Sequence, residues 1–168
     1  MAFSLKQVKL KFLNLTPLFI LFFISLNGNS VIDFKFFSVN VHYILIYYWV
    51  LKKPKTLGNG FIFLSGIITD VVIGLPIGIS ALTLLLISAT AAYVRAVTVR
   101  VSLITDWLSF VPALLIANFA YFMVLYFSDY SINYLYLFKN SVSTFIFYPV
   151  LWIAFSALLT LIRTKSYV

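Results

Sequence analysis

Six apolar runs, separated by short basic, polar or Gly/Pro links, divide the chain into segments at about 5–26, 36–51, 58–73, 77–94, 107–127 and 142–162. In the first, Leu5, Val8, Phe12 and Leu15 follow the spacing of one helical face, with Lys6, Gln7 and Lys11 largely off it. A basic amphipathic start of this kind lies in the headgroup region and continues into the membrane through Phe12 to Leu26. Pro17 fits either a kink or a late helix start. The rival reading is a cleaved signal peptide. The following Asn27-Gly28-Asn29-Ser30 supplies no small-x-small cleavage site, so the first helix is expected to stay.

Beyond a polar link at 27–35, residues 36–51 are free of formal charge and end in Tyr47-Tyr48-Trp49. At 1.5 Å per residue this run covers about 24 Å, against a hydrocarbon core of roughly 30 Å. Flanking residues or local thinning must absorb the difference. Lys52-Lys53-Pro54-Lys55 closes the segment, which makes Trp49 an expected interfacial anchor. Pro112 lies inside the run at 107–127. Residues 128–140 read as a polar, Tyr-rich loop, with Tyr126, Tyr130, Tyr134 and Tyr136 forming an aromatic belt at its edge.

The stretch 58–95 organises the rest. It reads as two apolar helices folded about Gly74-Leu75-Pro76-Ile77-Gly78, with Asp70 four residues before the break. Two short spans and a re-entrant loop both bring this hairpin back to its starting side; the lengths favour spanning. Asp70 is the only charged residue between Lys55 and Arg95, and a charge near lipid is a functional candidate by default. Its plainer role is to cap backbone N–H groups of the adjacent loop or to reach headgroup water. Its sharper role is contact with a partner helix or polar ligand. Gly58, Gly60, Gly66, Gly74 and Gly78, with Ser65, Thr69 and Ser80, suit close helix packing.

Composition sharpens this into a class. The chain of 168 residues is 63% hydrophobic and 10% charged, with a mean hydropathy of +1.08; a soluble domain carries about 25% charged residues. The expected architecture is therefore an all-α integral membrane protein, one polytopic domain over 1–168 with about six transmembrane helices and a central short-helix hairpin. Ten of the twelve Lys and Arg fall at the N-terminus, 52–55, 95–106 and the C-terminus, all on one side of such a topology; only Lys35 and Lys139 fall on the other. The positive-inside rule then puts both termini in the cytoplasm.

The same residues limit the chemistry. The net charge of +8 sits at the ends of apolar runs, and no basic stripe points to nucleic acid. No Cys, a single His (His42) and four acids (Asp33, Asp70, Asp106, Asp129) give no metal constellation and no cofactor motif. No Lys-Ser/Thr follows the glycines, so no phosphate loop is present. A proton-sharing acid pair would require Asp70 and Asp106 to meet. In the six-span topology the helix at 77–94, about 27 Å long, keeps them apart. His42 and Asn118 are expected to bond another helix or a carbonyl, and Trp152, beside Pro149, to pack against a neighbour.

Tyr48-Trp49, Pro54, Gly58-Asn59-Gly60-Phe61, Gly66-Ile67-Ile68-Thr69-Asp70, Gly74-Leu75-Pro76-Ile77-Gly78 and Ala81-Leu82 together resemble the rod shape-determining membrane protein family MreD. The likeness is sharp from about Tyr48 to Arg95. Where the family often opens its second span with Arg-Pro, Ser38-Val39 stands here. The resemblance implies a non-enzymatic scaffold of the bacterial cell-elongation machinery in the inner membrane. It implies a fold similar to the substrate-binding subunits of energy-coupling vitamin transporters. It also implies an MreC-like bitopic partner, and a link from MreB to the elongation glycosyltransferase and transpeptidase. Carried over by position, Gly66, Asp70, Gly74, Pro76 and Gly78 would shape the hairpin and present a surface to that partner. The alternative is a substrate-binding subunit of a vitamin-type transporter. Against it, residues 12–26 hold no Ala-x-x-x-Ala-like pattern of the kind used to couple to an ATPase.

Overall fold

A computed structural model describes residues 5–28, 31–33, 38–98, 102–130 and 133–164, with side chains from residue 15 to residue 162 outside the gaps and 31–37. It is mostly helical. Six helices, α1 (Leu5–Asn27), α2 (Val41–Lys52), α3 (Asn59–Ile73), α4 (Ile79–Val97), α5 (Leu103–Phe127) and α6 (Tyr134–Thr164), are joined by one small hairpin of β1 (Val31–Asp33) and β2 (Ser38–Asn40). The strands pair antiparallel, Val31 opposite Asn40 and Asp33 opposite Ser38. The amphipathic face expected at 5–15 falls within α1, but the side chains of its first ten residues lie outside the described set.

Three described helices are long and apolar enough to cross a membrane: α4, α5 and the 134–162 part of α6. Their outward faces carry large apolar side chains, including Leu115, Phe119, Phe138 and Ile153. A surface of that kind is compatible with lipid and a liability in water. The chain is an integral membrane protein of mostly helical architecture.

The second segment corrects the expectation. Instead of one helix over the whole of 36–51, the backbone runs through β2 and forms a helix of only 12 residues. At 1.5 Å per residue it covers about 18 Å, well short of the roughly 30 Å hydrocarbon core. Every side chain from His42 to Leu51 is buried, as befits a helix that is apolar on all sides. Packed between α4, α6 and α1, α2 is the axis of the fold. Trp49, expected at an interface, is completely enclosed. The turn from strand to helix is set by Asn40, whose side chain accepts the Tyr43 N–H at 3.2 Å.

Two helices begin earlier than their apolar runs. Ser102 caps α5 by accepting the Thr105 N–H, so the first turn takes in Asp106. Asn133 accepts the Tyr136 N–H at 3.0 Å, so the loop expected at 128–140 is helical from Tyr134 onward. Hydropathy reads the lipid-compatible part of a helix; the cap decides where the helix starts.

The core between α2, α5 and α6 is aromatic. Phe110 stacks on Tyr148 at 4.7 Å between ring centroids and lies 4.9 Å from Tyr47. The Tyr47 hydroxyl donates to Ser109 Oγ, and the Trp107 indole donates to the Phe145 carbonyl at 2.8 Å. These bonds tie α2 to α5 and α5 to α6.

Candidate functional site

Asp70 sits in the last turn of α3 and closes the hairpin from both sides. Its backbone carbonyl accepts the N–H groups of Gly74 and Leu75, which ends α3. Its carboxylate accepts the Gly78 N–H at 2.7 Å and the Ser80 N–H at 2.9 Å, which starts α4. Gly78, the residue ahead of α4, has no side chain to do this. The acid of one helix thus caps the next, where first-turn N–H groups lack partners and the helix dipole favours negative charge. Asp70 is completely buried. Of its two expected roles, the geometry displays the backbone cap.

The other motif positions serve the same turn. Gly74 adopts φ +77° and Gly78 φ +105°, backbone conformations that only glycine takes at little cost. Pro76 lies between them, its carbonyl receiving the Ile79 N–H. Gly66 is used differently: a methyl group there would overlap the Ala81 backbone of α4. The missing side chain lets α3 and α4 touch main chain to side-chain stub, the close approach that membrane helices use. Tyr130 reaches over from the α5–α6 loop, its hydroxyl donating to the Gly74 carbonyl at 3.0 Å.

A cavity of about 290 Å³ opens beside this turn, at the end of the bundle where α3 and α5 finish and α2, α4 and α6 begin. Its walls bring together His42, Asn118, Asn40, Asn140 and Tyr121. His42 Nε2 lies 3.2 Å from both the Leu21 carbonyl and Ser25 Oγ. Asn118 donates to Ser141 Oγ at 2.8 Å. Both residues therefore bond neighbouring helices, as a polar group in an apolar interior requires.

At the opposite end stands a cluster that sequence reasoning missed. The Asp106 carboxylate, 2% exposed, lies 2.9 Å from the Lys52 ammonium. Trp152 donates its indole N–H to the same Asp106 oxygen at 3.0 Å, and the ammonium sits 5.5 Å from the centroid of the Trp152 ring. Lys52 thus meets a carboxylate and an aromatic face together. The contact joins the end of α2, the start of α5 and the middle of α6, where Trp152 had been expected only to pack. Asp70 and Asp106 occupy opposite ends of the bundle, so the two acids do not form a pair.

Among the described residues, no group of three or more His, Asp or Glu is arranged to hold a metal ion. Compared with models of known protein families, with curated proteins and with solved structures, the chain matches none.

Proposed function

We propose that the protein is a non-enzymatic scaffold of the bacterial cell-elongation machinery, of the MreD kind. It would reside in the inner membrane with both termini cytoplasmic, and bind an MreC-like bitopic partner. Through that partner it would link MreB to the elongation glycosyltransferase and transpeptidase. The observation that carries this reading is the economy of the motif. Gly66, Asp70, Gly74, Pro76 and Gly78, the positions carried over from the resemblance, all serve one helical hairpin. The outer face of α3 in that hairpin leaves Phe61, Leu64, Val71 and Val72 exposed, a helix surface suited to lipid or to a partner's single span.

In this reading the polypeptide crosses six times. The 19 residues of α4 cover about 28 Å, which favours a spanning hairpin over a re-entrant one. The shorter α2 would cross only within the shelter of its neighbours.

A vitamin-type transporter subunit is the second reading, and the cavity lined by His42 and Asn118 is what favours it. Affinity purification of the tagged protein from a mild-detergent extract, with mass spectrometry of what accompanies it, separates the two. A single-span partner with a periplasmic coiled coil, together with cell-wall synthases, is the expected result. Recovery of ATPase subunits instead would overturn the scaffold.

A further inference from the structure

The cavity beside the hairpin turn has a chemistry of its own, and it does not depend on which of the two readings holds. None of its described lining residues is Asp, Glu, Lys or Arg. The nearby Asp70 carboxylate is already held by the Gly78 and Ser80 N–H groups. A charged ligand would therefore find no ion-pairing side chain in the described wall and would lose its hydration with little compensation.

Hydrogen-bonding capacity, by contrast, is left open. His42 Nε2 carries the ring proton, because the Leu21 carbonyl facing it can only accept. Nδ1 is then an acceptor without a bond to any described residue. Asn118 donates through its amide nitrogen to Ser141, and its oxygen makes no hydrogen bond to a described residue. Asn40 and Asn140 use their oxygens, accepting from the Tyr43 N–H and the Thr144 hydroxyl, while their amide N–H groups make no hydrogen bond to a described residue. The Tyr121 hydroxyl makes no hydrogen bond to a described residue. The unpartnered side-chain atoms sealed inside the protein, among those described, are on Ser38, Trp49 and Tyr148, none of which lines the cavity. The open atoms of the lining residues are therefore not sealed inside the protein.

Residues offering two acceptors, two amide donors and one phenol thus line a common space whose described walls carry no Asp, Glu, Lys or Arg. That set matches a molecule whose groups both donate and accept, and hydroxyl groups do both. Tyr43, also in the wall, adds an aromatic surface. The volume lies near the lower end of the roughly 300–1,000 Å³ of small-molecule sites, which suits a single ring. We infer that this cavity binds an uncharged, polyhydroxylated ring: a neutral sugar, either free or as the headgroup of a glycolipid.

The test uses the full-length protein in a sugar-free amine-oxide detergent, since maltoside detergents would themselves present sugar. N-acetylglucosamine and glucose are titrated by thermal shift and calorimetry, with glucosamine and glucose 6-phosphate as charged counterparts. For the lipid source, the protein is placed in phosphatidylcholine nanodiscs with or without monoglucosyl diacylglycerol. Saturable binding of a neutral probe, with charged counterparts at least tenfold weaker, is expected. A response to the glycolipid alone assigns the headgroup; a response to the free sugars assigns a solute. Tyr121→Phe removes a hydroxyl with no partner among the described residues, so the unliganded melting temperature should stay put. The affinity should fall about threefold to tenfold, the worth of one neutral hydrogen bond. Asn118→Leu should abolish binding. The proposal is overturned if neither sugar nor glycolipid binds the folded wild-type protein, if charged probes bind as well, or if both variants bind normally.

Discussion

The Lys52 ammonium lies 2.9 Å from the Asp106 carboxylate, and the two differ sharply in exposure: 20% of the lysine side chain is accessible but only 2% of the aspartate. Fifty-four positions separate them in the chain, so the pair fixes the end of α2 against the first turn of α5. Their unequal burial makes the consequences of breaking the pair unequal too.

Removing Lys52 leaves a sealed carboxylate with the Trp152 N–H as its one side-chain partner among the described residues, whereas removing the acid leaves a lysine that can swing toward solvent. Lys52→Met should therefore cost about 3 kcal/mol, the lower end for an uncompensated buried charge. Asp106→Asn should cost roughly half as much, and the double variant less than the sum of the two. Thermal melts of all three in one detergent check the order. Equal losses in the two single variants would contradict it.

Asp70→Ala deprives the Gly78 and Ser80 N–H groups of their acceptor in a buried turn. A loss of about 1–2 kcal/mol is expected, the range for helix caps. Membrane insertion should be normal, and, under the proposed scaffold function, recovery of the proposed bitopic partner in a pull-down should be lost. Asp70→Asn, which keeps one acceptor oxygen, should lie between. Normal partner recovery with Asp70→Ala would separate the cap from binding.

Gly66 and Gly60 lie in the same helix and should respond oppositely to alanine. At Gly66 the new methyl runs into the Ala81 backbone, while at Gly60 nothing lies within 4 Å. Gly66→Ala should cost at least 1–3 kcal/mol, about what overpacking costs in tight cores. Gly60→Ala should be neutral or stabilise by up to about 1 kcal/mol through helix propensity. A melting curve for each decides this, and a harmless Gly66→Ala would mean the helices can separate at no cost.

The turn glycines provide a contrast without steric contact, since nothing lies within 4 Å of a Cβ at either position. Gly74, at φ 77° and ψ 29°, is close to the left-handed region that asparagine tolerates; Gly78, at φ 105°, is well outside it. Gly74→Asn should be nearly silent, whereas Gly78→Asn should cost about 1–3 kcal/mol of backbone strain. Comparable melting temperatures for the two variants would argue against this turn geometry.

How far the sequence reaches is visible in these residues. Membrane character follows from composition alone, because few charged residues and long apolar runs leave no way to make a soluble surface. The hairpin at 58–95 was legible for a local reason: Gly74, Pro76 and Gly78 state their backbone requirements within a few positions, and Asp70 acts only eight and ten residues away. What the chain order could not convey is which apolar run goes inside. Lipid and protein interior favour the same side chains, so α2 reads as a lipid-facing run although its neighbours enclose it. Pairings across many residues were equally silent. The positions of the basic loops allow Lys52 and Asp106 on one side, but only packed helices bring charge to charge beneath Trp152. The cavity, too, exists only where the ends of five helices diverge, bringing His42, Asn118 and Asn140 into the lining of one space. Local backbone chemistry and hydropathy were decided by the sequence itself; enclosure and long-range pairing were decided by tertiary packing, because they depend on which surfaces meet.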